Sequence, residues 1–528
     1  MTEAAITMRP LVGLRWSRRT TLALIVALAV TAVLGQLPRQ TESAPQASVR
    51  APKADPALMQ AAAAAPASTL PVIVRESQPG SADAERAVRS LGGTVTRELP
   101  IIGGFSAQVP AQSVQDLARS SSVSHLWGDA HIHMSSVSTS SYDTAAPNLV
   151  WRAETRVTQL ASSIYTGAGV TVALLDTGVA PNADLGNRLV YEASFAPDTD
   201  VHDHFGHGTH MAGIIAGDGS MSGGQYAGMA PRANLVSVKV AAPDGSTDVS
   251  VVIDGMQWIY ANRAQYNIRV MNLSFGTDST QTYSLDPLDY AVEQLWNSGI
   301  LVAVAAGNRG PTAGTITKPG DDPFVVTVGA ADTGSSNARS DDTVAPFSSV
   351  GPTQDNLAKP DLVAPGISIV SDRCVGCTVD VAHPAARVGD NYFKGTGTSQ
   401  ATAIVSGVGA LMFQANPSLS PNMAKAILMN TASGLSKQAG SGSGLVDASS
   451  AVSAALLGPA YLKPPANQGV SPSTGQGTLE GSRGSMHVYA DLNGDGTPEM
   501  VTGEIGWNGT AWSGTAWSGT AWSGDAWS

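Results

Sequence analysis

Short apolar runs separated by glycine-rich turns recur through the middle of the chain. Residues 170–175 (VTVALL) and 302–306 (VAVAA) are nearly continuous apolar runs, typical of parallel strands buried on both faces. Residues 270–275 (VMNLSF) form a third candidate strand, whereas the longer small and apolar stretch 401–413 predicts a buried helix. These patterns favour an α/β fold in which the carboxyl ends of several parallel strands meet at one edge.

A smaller unit, at residues 71–134, precedes this region and has a different pattern of apolar and polar positions. Its alternation of strand and helix patterns predicts a split βαβ sandwich, an α+β arrangement of the ferredoxin-like kind. The predicted elements are a strand at 71–75, a helix at 82–91, a hairpin at 93–109, a helix at 111–120 and a strand at 123–132.

Reactive side chains stand at small-residue turns beside the predicted strands and helix. Asp176 follows the run VTVALL, His207 lies in HFGHGTHMAG, and Ser399 lies in GTGTSQATA just before the predicted helix. A serine needs a nearby base to become a nucleophile, and an imidazole base needs a carboxylate to hold its tautomer. Asn308, after VAVAAG, could donate to a negative oxygen together with the Ser399 backbone N–H. The four residues therefore predict a covalent acyl-transfer site.

The order Asp, His, Ser along the chain differs from that of trypsin-like folds and of α/β-hydrolases. Residues 145–455 resemble the subtilisin-like serine peptidases. The resemblance implies a three-layer subtilisin-like fold with a mainly parallel central sheet. It also implies catalytic roles for Asp176, His207 and Ser399, with Asn308 as the oxyanion donor. A departure is Ala403, where the family usually has proline; alanine is a strong helix former, so the helix is expected to persist.

The resemblance further implies a cleft that binds an extended substrate between two edges. Such main-chain recognition tolerates many sequences, so we expect broad specificity. Ordinary strand ends are the alternative interpretation of these segments. The residues expected to bind substrate are Ser274, Phe275 and Gly276 on one edge, Gly245 and Ser246 on the other, and Ala305, Ala306 and Gly307 beside the oxyanion donor.

The first 70 residues point to export. Arginines at 15, 18 and 19 precede the uncharged apolar run 21–34, so residues 1–35 are predicted to be a secretory signal, with an uncleaved anchor as the alternative. Residues 36–70 are rich in Ala and Pro and are predicted to be a flexible spacer. The resemblance implies that 71–134 is an inhibitory prodomain, removed by cleavage between Met134 and Val150. An unrelated α+β module is the alternative.

Composition narrows the function classes. The chain has 528 residues and a net charge of −12, which argues against a nucleic-acid partner because phosphate binding needs a basic face. Cys374 and Cys377 are the two cysteines, and in an exported chain they favour a local disulfide over a zinc or redox centre. His202, His204, His207 and His210 invite a metal-site interpretation, but no Cys or Glu nearby completes a ligand set. We expect a monomer with no organic cofactor and no metal among its site residues.

The C-terminal part changes character. In residues 456–504, Asp491, Asn493 and Asp495 have the alternating oxygens of a calcium loop, although an ordinary turn explains them equally well. Asp184 matches one ligand of the family's calcium loop, but the segment 217–229 is short and no strong site is expected there. Residues 505–528 repeat Trp about every five positions. This repeat predicts either contact with glycan or cell envelope, or low-complexity disorder.

Together these observations predict a secreted, extracellular serine endopeptidase that acts on polypeptides and is restrained by its own prodomain. Association with the cell surface through the Trp repeat is a further expectation. The competing hypotheses are a catalytically inactive subtilisin-like binding protein and a cell-surface adhesion protein. The intact set of four site residues argues against an inactive fold.

Overall fold

A computed structural model describes most of the chain. The described residues are 53–54, 56–129, 131–133, 142, 144–160, 163–198, 200–277, 281–334, 336–435, 437–458, 465–475, 488–490 and 499–501. The predicted signal, the Trp repeat and the candidate calcium loop at 491–495 lie outside them. Among the described residues, no helix is both long enough and apolar enough to cross a membrane.

The N-terminal unit is a four-stranded antiparallel sheet with the strand order β2-β3-β1-β4. This order and its two crossing helices match the ferredoxin-like fold predicted from the sequence. A further helix, α1, forms within the segment predicted to be a flexible spacer. Its alanines favour helix, and Leu58 and Ala61 bury against the sheet, so packing orders this stretch. The elements are α1 (Pro56–Ala64), β1 (Thr69–Glu76), α2 (Asp83–Ser90), β2 (Thr94–Leu99), β3 (Gly104–Pro110), α3 (Val114–Arg119) and β4 (Val123–Gly128).

The larger unit is built on an eight-stranded, mainly parallel sheet. Its main path runs β13-β12-β11-β10-β6-β8-β7, β14 also pairs with β12, and β12 with β13 is the antiparallel pair. All three runs predicted to be strands lie in this sheet. Its strands are β6 (Thr171–Asp176), β7 (Leu189–Ser194), β8 (Asn234–Lys239), β10 (Ile268–Leu273), β11 (Leu301–Ala305), β12 (Val326–Asp332), β13 (Thr343–Val344) and β14 (Leu362–Pro365).

Helices cover both faces of this sheet and complete three layers. One face carries α5, α9 and α11, and the other carries α6 and α7, against which the N-terminal unit packs. Asp286, Ser420 and Asp447 cap α7, α10 and α11 through their side chains. The helices are α4 (Trp151–Glu154), α5 (His207–Ala216), α6 (Val249–Asn262), α7 (Pro287–Asn297), α8 (Thr378–Ala382), α9 (Thr398–Ala415), α10 (Pro421–Thr431) and α11 (Ala448–Leu457).

Three small sheets complete the described structure. Strands β5 (His131–His133) and β9 (Ser246–Asp248) form an antiparallel pair between the two units. A disulfide joins Cys374 to Cys377, as the sequence predicted, at the tip of a three-stranded sheet. That sheet consists of β15 (Ile369–Asp372), β16 (Arg387–Val388) and β17 (Tyr392–Gly395), and the last pair is β18 (Val488–Ala490) with β19 (Glu499–Val501).

Candidate active site

Asp176 and His207 form a buried hydrogen-bonded pair. Asp176 is the last residue of β6, a strand that is buried along its whole length, and His207 is the first residue of α5. The Nδ1–H of His207 donates to Asp176 Oδ1 at 2.7 Å, with the two side chains 1% and 0% exposed. A carboxylate in this place fixes the imidazole tautomer, so that Nε2 is the nitrogen that can accept a proton.

A second carboxylate positions this pair, and it was not singled out from the sequence. Asp203 is buried and accepts hydrogen bonds from the backbone N–H groups of Phe205 and Gly206, just before His207. Asp203 Oδ1 also accepts from the Thr177 hydroxyl at 2.9 Å, and the Thr177 N–H donates to Asp176 at 2.8 Å. Asp203 therefore ties the loop that carries the histidine to the turn that carries the aspartate.

Ser399 lies in the first turn of α9, where backbone N–H groups have no helical partner. Its side chain is 3% exposed, and its hydroxyl donates to the carbonyl of Ser274 at 2.9 Å. The serine is thus docked against the carboxyl end of β10. The helix N-terminus adds a favourable field for a negative charge that develops beside it.

The Asn308 amide is held in one orientation by the residue before Ser399. Its Oδ1 accepts from both the backbone N–H and the hydroxyl of Thr398, each at 2.9 Å. A backbone N–H must have an acceptor, so the oxygen faces Thr398 and the amide N–H₂ group points the other way. Asn308 is half-buried, which leaves this group available as a donor.

The segments predicted to bind substrate follow neighbouring strands. Residues 274–276 follow β10, and residues 305–307 begin at the last residue of β11, its parallel neighbour. Both segments therefore lie at the edge that holds the catalytic residues. The Phe275 side chain is 1% exposed and packs in the core, so its backbone is the part that can meet a substrate. Ser274, Ala305 and Ala306 are buried as well.

The other predicted edge, Gly245 and Ser246, leads into β9 and already has a strand beside it. Backbone pairing joins His133 to Ser246 and His131 to Asp248 in antiparallel register. This strand, β5, lies at the C-terminal end of the N-terminal unit, after the last strand of its four-stranded sheet. The backbone of β9 therefore pairs with a strand of the same chain, and binding of a substrate at this edge stays a prediction.

Comparison with known proteins places this site in a family. A model of the subtilase family matches residues 167–471. The chain belongs to the subtilase family. The serine protease AprX of Bacillus subtilis (strain 168) is 44% identical over 275 residues, which cover 50% of this chain and 61% of AprX. Subtilisin Savinase of Lederbergia lenta is 37% identical over 287 residues, covering 54% of this chain and 91% of that protein.

A solved structure supports the fold. Fervidolysin from Fervidobacterium pennivorans, described as a keratinolytic enzyme related to subtilisin, aligns with a TM-score of 0.58 at 22% identity. The alignment covers 73% of this chain and 61% of fervidolysin. The matched part of this subtilase spans about three-fifths of the length of AprX. The predictions of family and of a three-layer α/β fold are thereby confirmed.

The four clustered histidines of this subtilase separate into different environments. His207 and His210 are buried on α5, whereas His202 and His204 are half-exposed and both lie within hydrogen-bond distance of Asp200. Burial, together with the neighbouring His207, lowers the pKa of His210 to about 3, so this imidazole stays neutral. Among the described residues no group of three or more His, Cys, Asp or Glu side chains has the arrangement of a metal site.

Asp184, which matches a calcium ligand of the family, is satisfied by protein donors. Its oxygens accept from the Ser220 hydroxyl, the Met221 N–H and the Tyr392 hydroxyl at 3.0, 2.7 and 2.6 Å. A calcium ion needs several free oxygens at one place. Both carboxylate oxygens of Asp184 therefore already accept hydrogen bonds from the protein.

A buried lysine beside one of the predicted substrate segments was also missed from the sequence. Lys318 is 0% exposed, and its ammonium donates to Asp289 at 2.7 Å and to Asp321 at 2.6 Å. Burial alone would lower the pKa of Lys318, but these carboxylates raise it overall. Its backbone N–H and C=O both pair with Thr277, directly after one of the substrate segments. The ion cluster thus anchors the backbone that pairs with Thr277.

Proposed function

We propose that this subtilase is a serine endopeptidase that hydrolyses peptide bonds through an acyl-enzyme. The observation that carries the proposal is the buried hydrogen bond between Asp176 and His207, at the same sheet edge as Ser399 and Asn308. Each of the four residues has the chemistry its role requires, and each is held by a different structural element. The natural substrates are proposed to be polypeptides.

In the first step, the Ser399 hydroxyl rotates away from the Ser274 carbonyl and attacks the substrate carbonyl carbon. His207 Nε2 takes the hydroxyl proton, and Asp176 stabilises the imidazolium that forms. The proton then passes to the amine that leaves as the C–N bond breaks, giving an ester between substrate and Ser399. Water, deprotonated by His207, attacks this ester; the bond to Ser399 Oγ breaks, His207 returns the proton to Oγ, and the acid is released.

The tetrahedral intermediates carry a negative oxygen. The Asn308 amide and the Ser399 backbone N–H are proposed to donate to it. Because Thr398 fixes the Asn308 oxygen, the donor needs no reorientation during the reaction, which is the condition for effective electrostatic stabilisation. Removal of an asparagine donor of this kind from a subtilisin lowers kcat by about 10²–10³, and we expect a contribution of the same size here.

We further propose that the N-terminal unit is an inhibitory prodomain. Its sheet packs through Ile73, Leu99 and Trp127 into the core shared with the larger unit. Arg97 forms an ion pair with Asp254 on α6 at 2.6 Å. The strand that follows, β5, pairs with β9 where a substrate strand is expected to lie. Cleavage between Met134 and Val150 would free this edge.

Export to the extracellular space is part of the same proposal, because an enzyme restrained by a removable domain is suited to secretion before activation. The sequence support is the charged and apolar pattern of residues 1–35. Broad specificity is proposed for the subsites at which the substrate main chain pairs with the two edges. The Trp repeat is proposed to contact glycan or cell envelope.

The test compares the wild type with Ser399→Ala, both expressed as the full chain. We expect the wild type to digest casein and to have a new N-terminus between residues 134 and 150. Ser399→Ala is expected to keep the N-terminal unit attached and to leave casein intact. Casein digestion by Ser399→Ala at the wild-type rate would refute the proposal. An intact wild type without any digestion would favour the binding-protein hypothesis.

A further inference from the structure

The cleft between the two substrate segments has a floor. Thr317 N–H donates to the Ala306 carbonyl at 2.9 Å, and the next residue, Lys318, pairs through its backbone with Thr277. Residues 317–318 therefore bridge the wall after β10 and the wall after β11. The buried ion cluster of Lys318 holds this bridge in place.

The side chain of Thr317 fills the space between the walls. A Cβ atom placed on Gly307 would lie 2.6 Å from Thr317 Cγ2, and one placed on Gly276 would lie 3.0 Å from Thr317 Oγ1. A side chain at either glycine would collide with the threonine, so the Thr317 side chain occupies the space beside both glycines. Its hydroxyl lies 3.2 Å from the Ala306 carbonyl, to which it donates, and the residue is 6% exposed. The side chain is therefore fixed in the gap.

The reacting carbonyl must lie at the mouth of this gap. Ser399 is docked on Ser274 at the top of one wall, and Asn308 follows directly after Gly307 at the top of the other. If Ser399 attacks a substrate carbonyl group and Asn308 donates to its oxygen, the Cα atom bonded to that carbonyl lies between the two walls. The side chain on that Cα, which belongs to the residue before the scissile bond, then points towards Thr317.

We propose that Thr317 restricts the residue before the scissile bond to small side chains, namely Gly, Ala and Ser. This inference rests on the proposed endopeptidase function and narrows it at one position. A large side chain such as Phe would have to displace a threonine that is hydrogen-bonded and packed on both sides. Overpacking of this kind is strongly unfavourable in a rigid environment. At the other substrate positions, where the enzyme binds the main chain, many different side chains are still expected to be accepted.

The chain's own processing segment agrees with this restriction. Residues 134–141, which follow the strand β5, read MSSVSTSS, and six of the eight are Ser or Thr. A peptidase that accepts small side chains could cleave its own chain within this stretch. A peptidase that requires a large aromatic residue would find only Tyr142 between Met134 and Val150.

The test measures kcat/KM for two substrates, succinyl-Ala-Ala-Pro-Ala-p-nitroanilide and its counterpart with Phe in the last position. The enzymes are the self-processed wild type, Thr317→Gly, and the matched control Thr317→Val, which keeps the volume of threonine. We expect the wild type and Thr317→Val to prefer the Ala substrate by at least about tenfold, the scale of discrimination in a tight pocket. In Thr317→Gly, the ratio of kcat/KM for the Ala substrate to kcat/KM for the Phe substrate is expected to fall by at least about tenfold.

A wild type that hydrolyses the Phe substrate as well as the Ala substrate would overturn the inference, even if Thr317→Gly failed to fold. So would a Thr317→Gly enzyme that hydrolyses the Ala substrate normally but keeps the wild-type ratio. Failure of the proposed function is distinguishable, because the wild type would then hydrolyse neither substrate and would not react with a fluorophosphonate. That result would refute both proposals together.

Discussion

Replacing Lys318 with methionine should strongly destabilise this subtilase. The substitution keeps the length of the side chain and removes the ammonium that bonds to Asp289 and Asp321. Asp289, Asp321 and Lys318 are all 0% exposed, so water cannot take over the lost interactions. The variant would leave two carboxyl groups buried without their cation.

The expected size follows from this burial. Removing one partner of a buried ion pair costs about 3–5 kcal/mol, because an uncompensated charge remains. With an unfolding entropy of about 2 cal/mol/K per residue, each kcal/mol lowers the unfolding temperature of a domain that spans residues 167–471 by about 1.5 °C, so the expected decrease is roughly 5–8 °C. The exposed Lys437 offers a matched control, and Lys437→Met is expected to shift the temperature by less than about 2 °C.

The loss of stability caused by Lys318→Met should also depend on pH. Burial raises the pKa of Asp289 and of Asp321 above their usual range, even with Lys318 present. A carboxyl group whose pKa is higher in the folded state than in the unfolded state binds extra protons on folding, so stability falls as pH rises. Without the ammonium this effect is larger. Lys318→Met should therefore lose more stability at pH 8 than at pH 5.

The assay is thermal unfolding followed by circular dichroism at a fixed scan rate, in the Ser399→Ala background to prevent self-digestion. Both lysine variants are compared with their parent at pH 5 and pH 8. A Lys318→Met variant that unfolds within 2 °C of the parent at both pH values would refute the reasoning. It would mean that the carboxyl groups are neutral or solvated despite their burial.

Two further predictions concern the catalytic site, and a third concerns the buried carboxyl group of Asp342, just before β13. Asp176→Asn should lower kcat by about 10⁴, because the histidine loses its fixed tautomer; a loss below tenfold in peptide hydrolysis would contradict the assigned role. Thr398→Val removes one of the two bonds that hold Asn308, and should lower kcat about threefold to tenfold with KM unchanged; an effect confined to KM would argue against oxyanion positioning. Burial and then the charge of Glu154 raise the pKa of Asp342 to about 7, so its ionisation costs stability increasingly between about pH 4 and pH 7. Asp342→Asn in the Ser399→Ala background should therefore raise the unfolding temperature by a few degrees at pH 8 but hardly at pH 4, and an equal shift at both would contradict this.

The sequence predicted the elements of the fold well where local pattern decides them. The fully apolar runs became the central strands β6, β10 and β11, and the strand and helix order of the N-terminal unit was recovered. The helix α1 was missed because a stretch rich in Ala and Pro matches both a spacer and a helix. Its order depends on the burial of Leu58 and Ala61 against a sheet that is distant in the sequence.

The site was predictable in its reactive residues but not in their support. Asp176, His207, Asn308 and Ser399 stand in recognisable local strings, whereas Asp203 looked like any polar loop residue. Its role depends on bonds to Thr177, 26 positions away, and to the loop before His207. Lys318 was overlooked for a different reason: lysine is expected at the surface, and its carboxylate partner Asp289 is 29 positions away.

The covalent step at Ser399 is the centre of this account. We would measure the intact mass of the processed wild type after reaction with a fluorophosphonate, and locate the adduct by peptide mass spectrometry, beside a Ser399→Ala control. The account predicts one adduct per chain, on the peptide that contains Ser399, and none in the control. An unmodified wild type, or an adduct that persists in Ser399→Ala, would contradict it.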